Sequence, residues 1–516
     1  MLPSNPDDKI DEVDKILSKL DGKIERKMDP LMCRHNPRQK CTNCLPLDPY
    51  DEKFLHEKDI KHLSFHAHVH KLTDLHGRGT RSNNVLENVC CKLRPNCAGG
   101  HLPYPKGICT RCRPSTLTLN RQPFRHVDNI EFANSHIVNN FLNFWRRSSF
   151  QRIGFLIGQY EMFTDVPLGI KAAVFAIYEP PQRSTEDGVF LERDDPNGDK
   201  VDALCTMLGM RRVGWIFTDL WTEDPRQGTV HCVRNEESFL LTASECITAA
   251  NFQLKNKNYT KYCDDGYFGS KFVTVVASGN KDKRIDFHGY QVSNQCTAMV
   301  EADILCPTKH FPELAWAREM PKSDSHYVTN VEFTEKDEFG MEVRRNGRPM
   351  PVEYLLVDVP CGVRLQEVHK FTVPESADET FPIENRTIVD QHQNLRDLAK
   401  YISAFDLPDQ FLTMASDFHF LLFLFTNHHV EFSVAELESL VASVRKSDAQ
   451  GAKEWAERSE NWGTLLLLSQ SGGIGGHSPT ATVSESDAGS WNCQHCTMLN
   501  PRQRNNCSVC GLPKAN

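Results

Sequence analysis

Ile10, Val13, Ile16, Leu17 and Leu20 recur at helical spacing and predict a short amphipathic helix near the start of the chain. The pattern then lapses. From 22 to 128 the sequence is rich in Cys, His, Pro and Gly and poor in periodicity, the profile of loops fixed by metal rather than by a large core. Periodicity returns with Val138, Phe141, Leu142 and Trp145 on one face of a helix. Short apolar runs next predict strands over 154–158, 172–178, 213–220, 272–278 and 287–300, with helical segments between them. One such helix opens at Thr242, with Glu245 three residues on, the sequence form of a capping box.

A further strand is expected at 353–359, after which the character becomes helical. Leu395, Leu398, Tyr401 and Ile402 mark one helix and 418–426 a buried one. Ser433 with Glu436 caps a third, carrying Leu437, Leu440, Val441 and Val444. Residues 469–490, SQSGGIGGHSPTATVSESDAGS, have the composition of a flexible linker, and a compact Cys-rich tail follows. Strands and helices mixed in this way imply an α+β multidomain chain. Its expected parts are an N-terminal helix or tail (1–21), a Cys/His-rich region (22–128), an α/β body (129–330), a mostly helical region (331–468), the linker (469–490) and the tail (491–516).

At 516 residues the chain has room for about three or four domains of ordinary size. Its 59 basic and 68 acidic residues give a net charge of −9, which weighs against a dedicated nucleic-acid binder. The longest strongly apolar stretch, near Phe418 to Phe425, is less than half a membrane span, and the acidic start lacks the apolar run of a signal peptide. In a chain without secretion signals, 19 cysteines call for an account other than disulfides. Eight lie between Cys33 and Cys112, four between Cys493 and Cys510, and the seven from Cys205 to Cys361 read as small buried thiols.

The tail has Cys493 and Cys496, then Cys507 and Cys510, two CxxC knuckles that can close a tetrahedral zinc site. Four thiolates leave no open coordination position, so such a metal is structural. The tail resembles the NZF class of ubiquitin-binding zinc ribbon, with Trp491 leading and Asn500 four residues after Cys496. By that resemblance Thr497, Met498 and Val509 contact ubiquitin, Met498 standing where the class has Phe. The first N-terminal set is Cys33, His35, Cys41 and Cys44. The second is Cys97, His101, Cys109 and Cys112, with Cys90 or Cys91 as alternatives to Cys97. Three structural zinc ions are therefore expected. Between the sets, His66, His68 and His70 would share one face of a strand, but no carboxylate sits at matching spacing. Residues 81–125 carry eight Lys/Arg against one acidic residue, a charge that zinc thiolates and an acidic protein partner account for better than nucleic acid does.

Together with RQPFRHVDNIEF, VGWIFTDL, GYQVSNQC, PVEYLLVDV, FPIENR and SDFHFLLFLFTN, these features resemble the nuclear protein localization protein 4 family, over nearly all of the chain from about Asp21. The family's N-terminal UBX-like domain is expected to be absent, since about twenty residues precede the finger region. The resemblance implies a zinc-finger pair, a central MPN domain, a helical C-terminal domain and a terminal NZF finger. It implies a ubiquitin-binding adaptor that pairs with ubiquitin fusion degradation protein 1 and recruits polyubiquitinated substrates to the AAA unfoldase valosin-containing protein. Proteasomal degradation, including that of endoplasmic-reticulum clients, would follow, in cytoplasm and nucleus. The fingers would meet the ATPase ring, and the MPN surface would help capture an unfolding ubiquitin.

The MPN fold is shared with the JAMM metallo-deubiquitinases, which use a Glu before a G-x-x-x-G strand, a His-x-His and a Ser-x-x-Asp. Here Gly154 to Gly158 and Gly214-Trp215 supply the scaffold. Gln151, Phe217, Asp219, Thr242 and Glu245 fill the chemical positions. An amide cannot serve as general base and a phenyl ring cannot bind metal, so an inactive MPN domain is expected. The rival readings are an active zinc or thiol deubiquitinase and a zinc-finger nucleic-acid binder. No Walker A motif or Gly-x-Ser-x-Gly elbow is present.

Overall fold

The computed structural model describes residues 9–36, 39–76, 84–94, 97, 99–374 and 379–473, with the backbone at 491–492 and 499–500. At its centre is an eight-stranded sheet. Its strands are β1 (Asn129–Phe132), β2 (Ile153–Phe163), β3 (Gly169–Tyr178), β4 (Arg211–Asp219), β5 (Val273–Gly279), β6 (Ile285–Val292), β7 (Leu356–Val359) and β8 (Cys361–Val363). They lie in the order β7-β6-β5-β4-β2-β3-β1-β8. β7 and β8 are at opposite edges, yet only Pro360 separates them in the chain. The sheet therefore has to curl until its edges meet, as a barrel does. At the seam the Ile130 N–H donates to the Pro360 carbonyl at 2.8 Å, and Arg125 donates to the Asp358 carbonyl at 3.1 Å. A side chain at Gly289 would meet the Val359 carbonyl and come within 2.7 Å of Ile130 Cδ1, so only glycine lets the strands approach this closely.

Both faces of the curled sheet are buried, which is why its strands read as near-continuous apolar runs. Leu156, Val174, Ile216 and Val273 belong to one cluster, joined by Val138 and Phe141 of the helix Ser135–Ser148. Their neighbours Phe155, Ile157, Phe175, Trp215 and Phe217 turn to the other face. That second cluster includes Cys246 and Ala250 of the helix Ala243–Lys255 and Cys296 and Met299 of the helix Asn294–Glu301. It continues into the helical C-terminal region, where Phe381 packs its ring against Tyr401, Phe420 and Phe423 with centroids 5.1 to 5.5 Å apart. Removing so enclosed a ring typically costs about 3–5 kcal/mol. The architecture is α+β with a helical C-terminal region.

Several helices form where periodicity places them: Glu12–Leu17, Ser135–Ser148, Leu395–Ser403, Phe418–Thr426 and Val434–Lys446. The Thr242–Glu245 capping box is formed, and the Ser433 hydroxyl accepts the Glu436 N–H at 3.2 Å. Other expectations need correction. The strand expected over 287–300 stops at Val292, because Ser293 accepts the Cys296 N–H and starts a helix. The strand expected at 353–359 begins with a 3-10 turn, Val352–Leu355, before β7. β7 and β8 complete the barrel although the sequence groups them with the C-terminal region. The strand Val331–Lys336 pairs with Leu117–Leu119 from the Cys/His-rich region, so these segments interlock. The start of the expected linker is helical, since Glu460–Gly473 includes Ser469, which is buried; residues 474–490 lie outside the described residues.

The Cys/His-rich region is not held by metal-type clusters alone. Leu55, Leu63, Phe65, Val69 and Phe124 form an apolar core that packs on Cys263 and Phe268 of the body. Of the seven scattered cysteines, Cys205, Cys246, Cys263 and Cys296 are buried, and Cys232, Cys306 and Cys361 are half-buried. No described helix is long and apolar enough to cross a membrane.

Candidate metal centres and the barrel site

An isolated bridge between Ile24 and Leu47 closes the base of the first finger loop, and Arg26 clamps its knuckle through the Leu45 and Thr42 carbonyls at 2.8 and 2.6 Å. Within that loop the donor atoms of Cys33, His35, Cys41 and Cys44 all lie within 4.8 Å of one another. Zinc–sulfur bonds of about 2.3 Å in a tetrahedron place sulfurs about 3.8 Å apart. Cys41 Sγ lies 3.7 Å from Cys33 Sγ and 3.9 Å from Cys44 Sγ, and His35 Nε2 lies 3.2 Å from Cys44 Sγ. His35 Nδ1 donates to the Asn36 carbonyl at 2.9 Å, leaving the Nε2 lone pair for a metal.

The second set repeats the design. Cys97, His101, Cys109 and Cys112 satisfy the same 4.8 Å criterion, with Cys109 Sγ 3.4 Å from Cys97 Sγ and 3.8 Å from Cys112 Sγ. His101 Nδ1 donates to the Leu102 carbonyl at 2.7 Å, again freeing Nε2, which lies 3.5 Å from Cys112 Sγ. In both knuckles the first Cys N–H points at the second sulfur, at 3.3 Å. Backbone amides hold one thiol of each set down to about 6, the Asn43 N–H for Cys41 and the Cys112 N–H for Cys109. Both quartets fit a structural zinc. Cys97 rather than Cys90 or Cys91 completes the second: Cys91 is in the apolar core, where burial pushes its thiol up to about 12, and Cys90 turns toward the Lys92 carbonyl.

His66, His68 and His70 do not share a strand face. They lie on the helix Phe65–His76, whose turn separates them. His66 Nε2 bonds the Asp14 carboxylate at 2.8 Å, while His68 stacks on Phe124 with centroids 4.2 Å apart. Within the basic stretch 81–125, Lys92, Arg121 and Arg125 are paired with Glu301, Glu353 and Asp128. Cys493, Cys496, Cys507 and Cys510, with Thr497, Met498 and Val509, lie outside the described residues.

At the mouth of the barrel β2 and β4 run antiparallel, with Ile153 opposite Phe217. Gln151 precedes β2 and is buried. Its amide donates to the Glu186 and Leu220 carbonyls, each at 2.9 Å, and its oxygen accepts from Thr218 Oγ1 at 2.8 Å and the Leu220 N–H at 3.2 Å. Those four bonds use its two donors and both lone pairs. Phe217 stacks on Trp215, centroids 4.9 Å apart. Asp219 and Glu245 do converge, but on a side chain the sequence did not single out. Arg234 Nε donates to Asp219 at 2.6 Å; its Nη2 and Nη1 donate to the two Glu245 oxygens at 2.6 and 2.9 Å. Burial opposes the Arg234 charge, yet the two carboxylates raise its pKa above the ordinary value. Thr242 serves the helix cap, its N–H bonded to Glu245 at 2.8 Å. Nothing in the sequence marks Arg234, which lies 15 residues after Asp219 and 11 before Glu245. Beside it opens a groove of about 1100 Å3, lined by Arg121, Arg234, Phe239, Leu241, Tyr290 and Glu353 among others.

A family model described as "NPL4 family" matches residues 152–470, and one described as "NPL4 family, putative zinc binding region" matches residues 8–149, which include both quartets. The Caenorhabditis elegans protein "Nuclear protein localization protein 4 homolog 1" is 52% identical over 525 residues, which cover 98% of each chain. The Homo sapiens "Nuclear protein localization protein 4 homolog" is 44% identical over 98% of this chain and 82% of its own. The Schizosaccharomyces pombe "Nuclear protein localization protein 4" is 42% identical over 76% of this chain and 67% of its own.

Proposed function

The chain belongs to the NPL4 family, and from that footing we propose that it is a non-enzymatic ubiquitin-binding adaptor. With ubiquitin fusion degradation protein 1 it recruits polyubiquitinated substrates to the unfoldase valosin-containing protein, in the cytoplasm, the nucleus and at the cytosolic face of the endoplasmic reticulum. The observation that carries the non-enzymatic part is the Arg234 guanidinium lying between Asp219 and Glu245. In a JAMM-type site those positions would face a metal; here they face an arginine, and Gln151 has no proton-accepting position left. A barrel of this kind, read as an MPN domain, offers a scaffold without the base and ligands that water activation needs.

The finger pair supports the partner assignment. Zinc held by each quartet would fix loops that present apolar tips: Leu31 and Met32 are 87% and 66% exposed, and Leu102 is 63% exposed. Apolar side chains held out on rigid loops suit docking on another protein, here the ATPase ring. The groove beside Arg234, about 1100 Å3 in volume, is where an extended segment of an unfolding ubiquitin would lie. The tail, read as an NZF finger on a third zinc, would add a weak contact through Thr497, Met498 and Val509 and raise the local concentration of a chain already engaged.

Incubating the purified chain with polyubiquitin tests the reading. Intact ubiquitin chains over hours, with or without added zinc, are expected; accumulation of free ubiquitin would overturn it.

A further inference from the structure

The connection from β4 to the helix Ala243–Lys255 contains a segment, 232–241, that forms one wall of the groove. Much of its hydrogen bonding folds it on itself. The Ser238 N–H donates to Asn235 Oδ1 at 3.0 Å, Ser238 Oγ donates to the Val233 carbonyl at 2.8 Å, and the Asn235 N–H donates to Ser238 Oγ at 3.1 Å. Those bonds shape a turn without fastening it to the barrel. At its end Leu241 is buried in the apolar cluster that holds Trp215 and Phe217; over the rest of the wall Arg234 does the polar fastening. It reaches β4 through Asp219 and the helix N-terminus through Glu245, and it also donates to the Leu240 carbonyl at 2.9 Å, bridging the two ends of its own turn. Its guanidinium lies over the rings of Phe217 and Phe239, 5.4 and 5.0 Å from their centroids. Phe217 belongs to the barrel and Phe239 to the groove wall, so one planar cation contacts a ring of each.

We infer that Arg234 is the positioning residue of the groove: an internal cation lying between Asp219 and Glu245 locks the 232–241 wall against the barrel and so sets the shape offered to an extended polypeptide. The inference rests on the groove reading proposed above. It gives the barrel mouth a task of its own, because the two carboxylates anchor a binding wall. Only a guanidinium meets both carboxylates and a carbonyl with donors in a fixed fork, whereas lysine presents one compact charge. Loss of the cation also leaves two carboxylates facing one another in a partly buried slot.

The test measures hydrogen–deuterium exchange along the full chain in the parent, R234M and R234K, and titrates each with a fluorescein-labelled, permanently unfolded ubiquitin variant. With its charge-assisted bonds lost, R234M should speed exchange at 232–241 by about tenfold or more. Exchange in β5 should stay at the parental rate, zinc content should not change, and the probe should bind about tenfold more weakly. R234K should fall between. Parental exchange at 232–241 in both variants would overturn the inference. If R234M loosens the whole chain, R234K decides: faster exchange confined to the loop supports the anchor, and parental exchange rejects it. If the parent itself fails to bind the probe, the groove reading falls, while the exchange data still decide whether Arg234 anchors the wall.

Discussion

The Arg152 guanidinium donates to the Glu179 carboxylate at 2.6 Å with both side chains 1% exposed. Arg386 Nε, from the C-terminal region, meets the same carboxylate at 2.9 Å. Glu384 accepts the Glu179 N–H at 2.9 Å, and Arg152 also reaches the Asn385 carbonyl at 2.7 Å. One buried carboxylate thus joins the barrel to the segment that leads into the C-terminal helices. Glu179→Ala would leave two guanidiniums buried without their counter-charge, a loss of about 3–5 kcal/mol. Urea unfolding should show the lower midpoint in probes of the barrel and of the C-terminal helices alike.

Elemental analysis should find about three zinc ions per chain, two in the described quartets and one in the Cys493–Cys510 set. Cys41→Ser should remove one ion and unfold the first finger, since structural zinc supplies about 10–16 kcal/mol of coupled folding energy. The barrel has its own apolar clusters and should keep its melting transition.

Gly158 lies in β2 at the irregular pairing with β3, and a Cβ there would run into the Ala173 carbonyl oxygen. Gly158→Ala should therefore cost about 1–3 kcal/mol or more, because backbone rather than a flexible side chain has to yield. Thermal unfolding of the purified variant checks this directly.

Gly154 and Gly158 also show what the sequence could disclose. Strand runs, helix caps and Cys knuckles are local signals, and β2 to β5, the Thr242–Glu245 box and both quartets were legible from them. Sequence and structure part where local signals compete. The alternation of His66, His68 and His70 mimicked a strand, but Phe65, Val69 and Leu72 sit one and two turns apart and pack together in the core beside the fingers. The apolar run through Val292 and Val300 hid the Ser293 cap. Arg234 was invisible for another reason: its partners are fixed by the barrel's pairing, and no spacing rule links a loop arginine to a carboxylate at the end of one strand and another at the start of a helix.

Acid should weaken the protein through histidines kept neutral. Burial, with Lys271 nearby, lowers the His126 pKa from 6.5 to about 3, and burial with Lys71 lowers that of His68 to about 4. His126 stacks on Phe65 at 4.9 Å, and among the described residues neither of its ring nitrogens has a hydrogen-bond partner. A base whose folded pKa is depressed gives stability that is complete above the unfolded value of 6.5 and is lost as pH falls toward the folded one. Each such ring then steepens the loss by up to about 1.4 kcal/mol per pH unit. His419 moves the other way: burial opposes its charge, but Glu384, Asp417 and Glu179 together outweigh it, and this offsets part of the slope. Urea midpoints between pH 7 and pH 4.5 should fall less steeply for His126→Leu than for the parent. Parallel curves would mean that His126 takes up protons in the folded state.

The adaptor claim is tested most directly by retention of the unfoldase on immobilised polyubiquitin. With the purified chain and ubiquitin fusion degradation protein 1 both present, valosin-containing protein should be held on the resin, and the ubiquitin chains should elute at full length. Retention that is the same without the chain, or absent with it, would contradict the account.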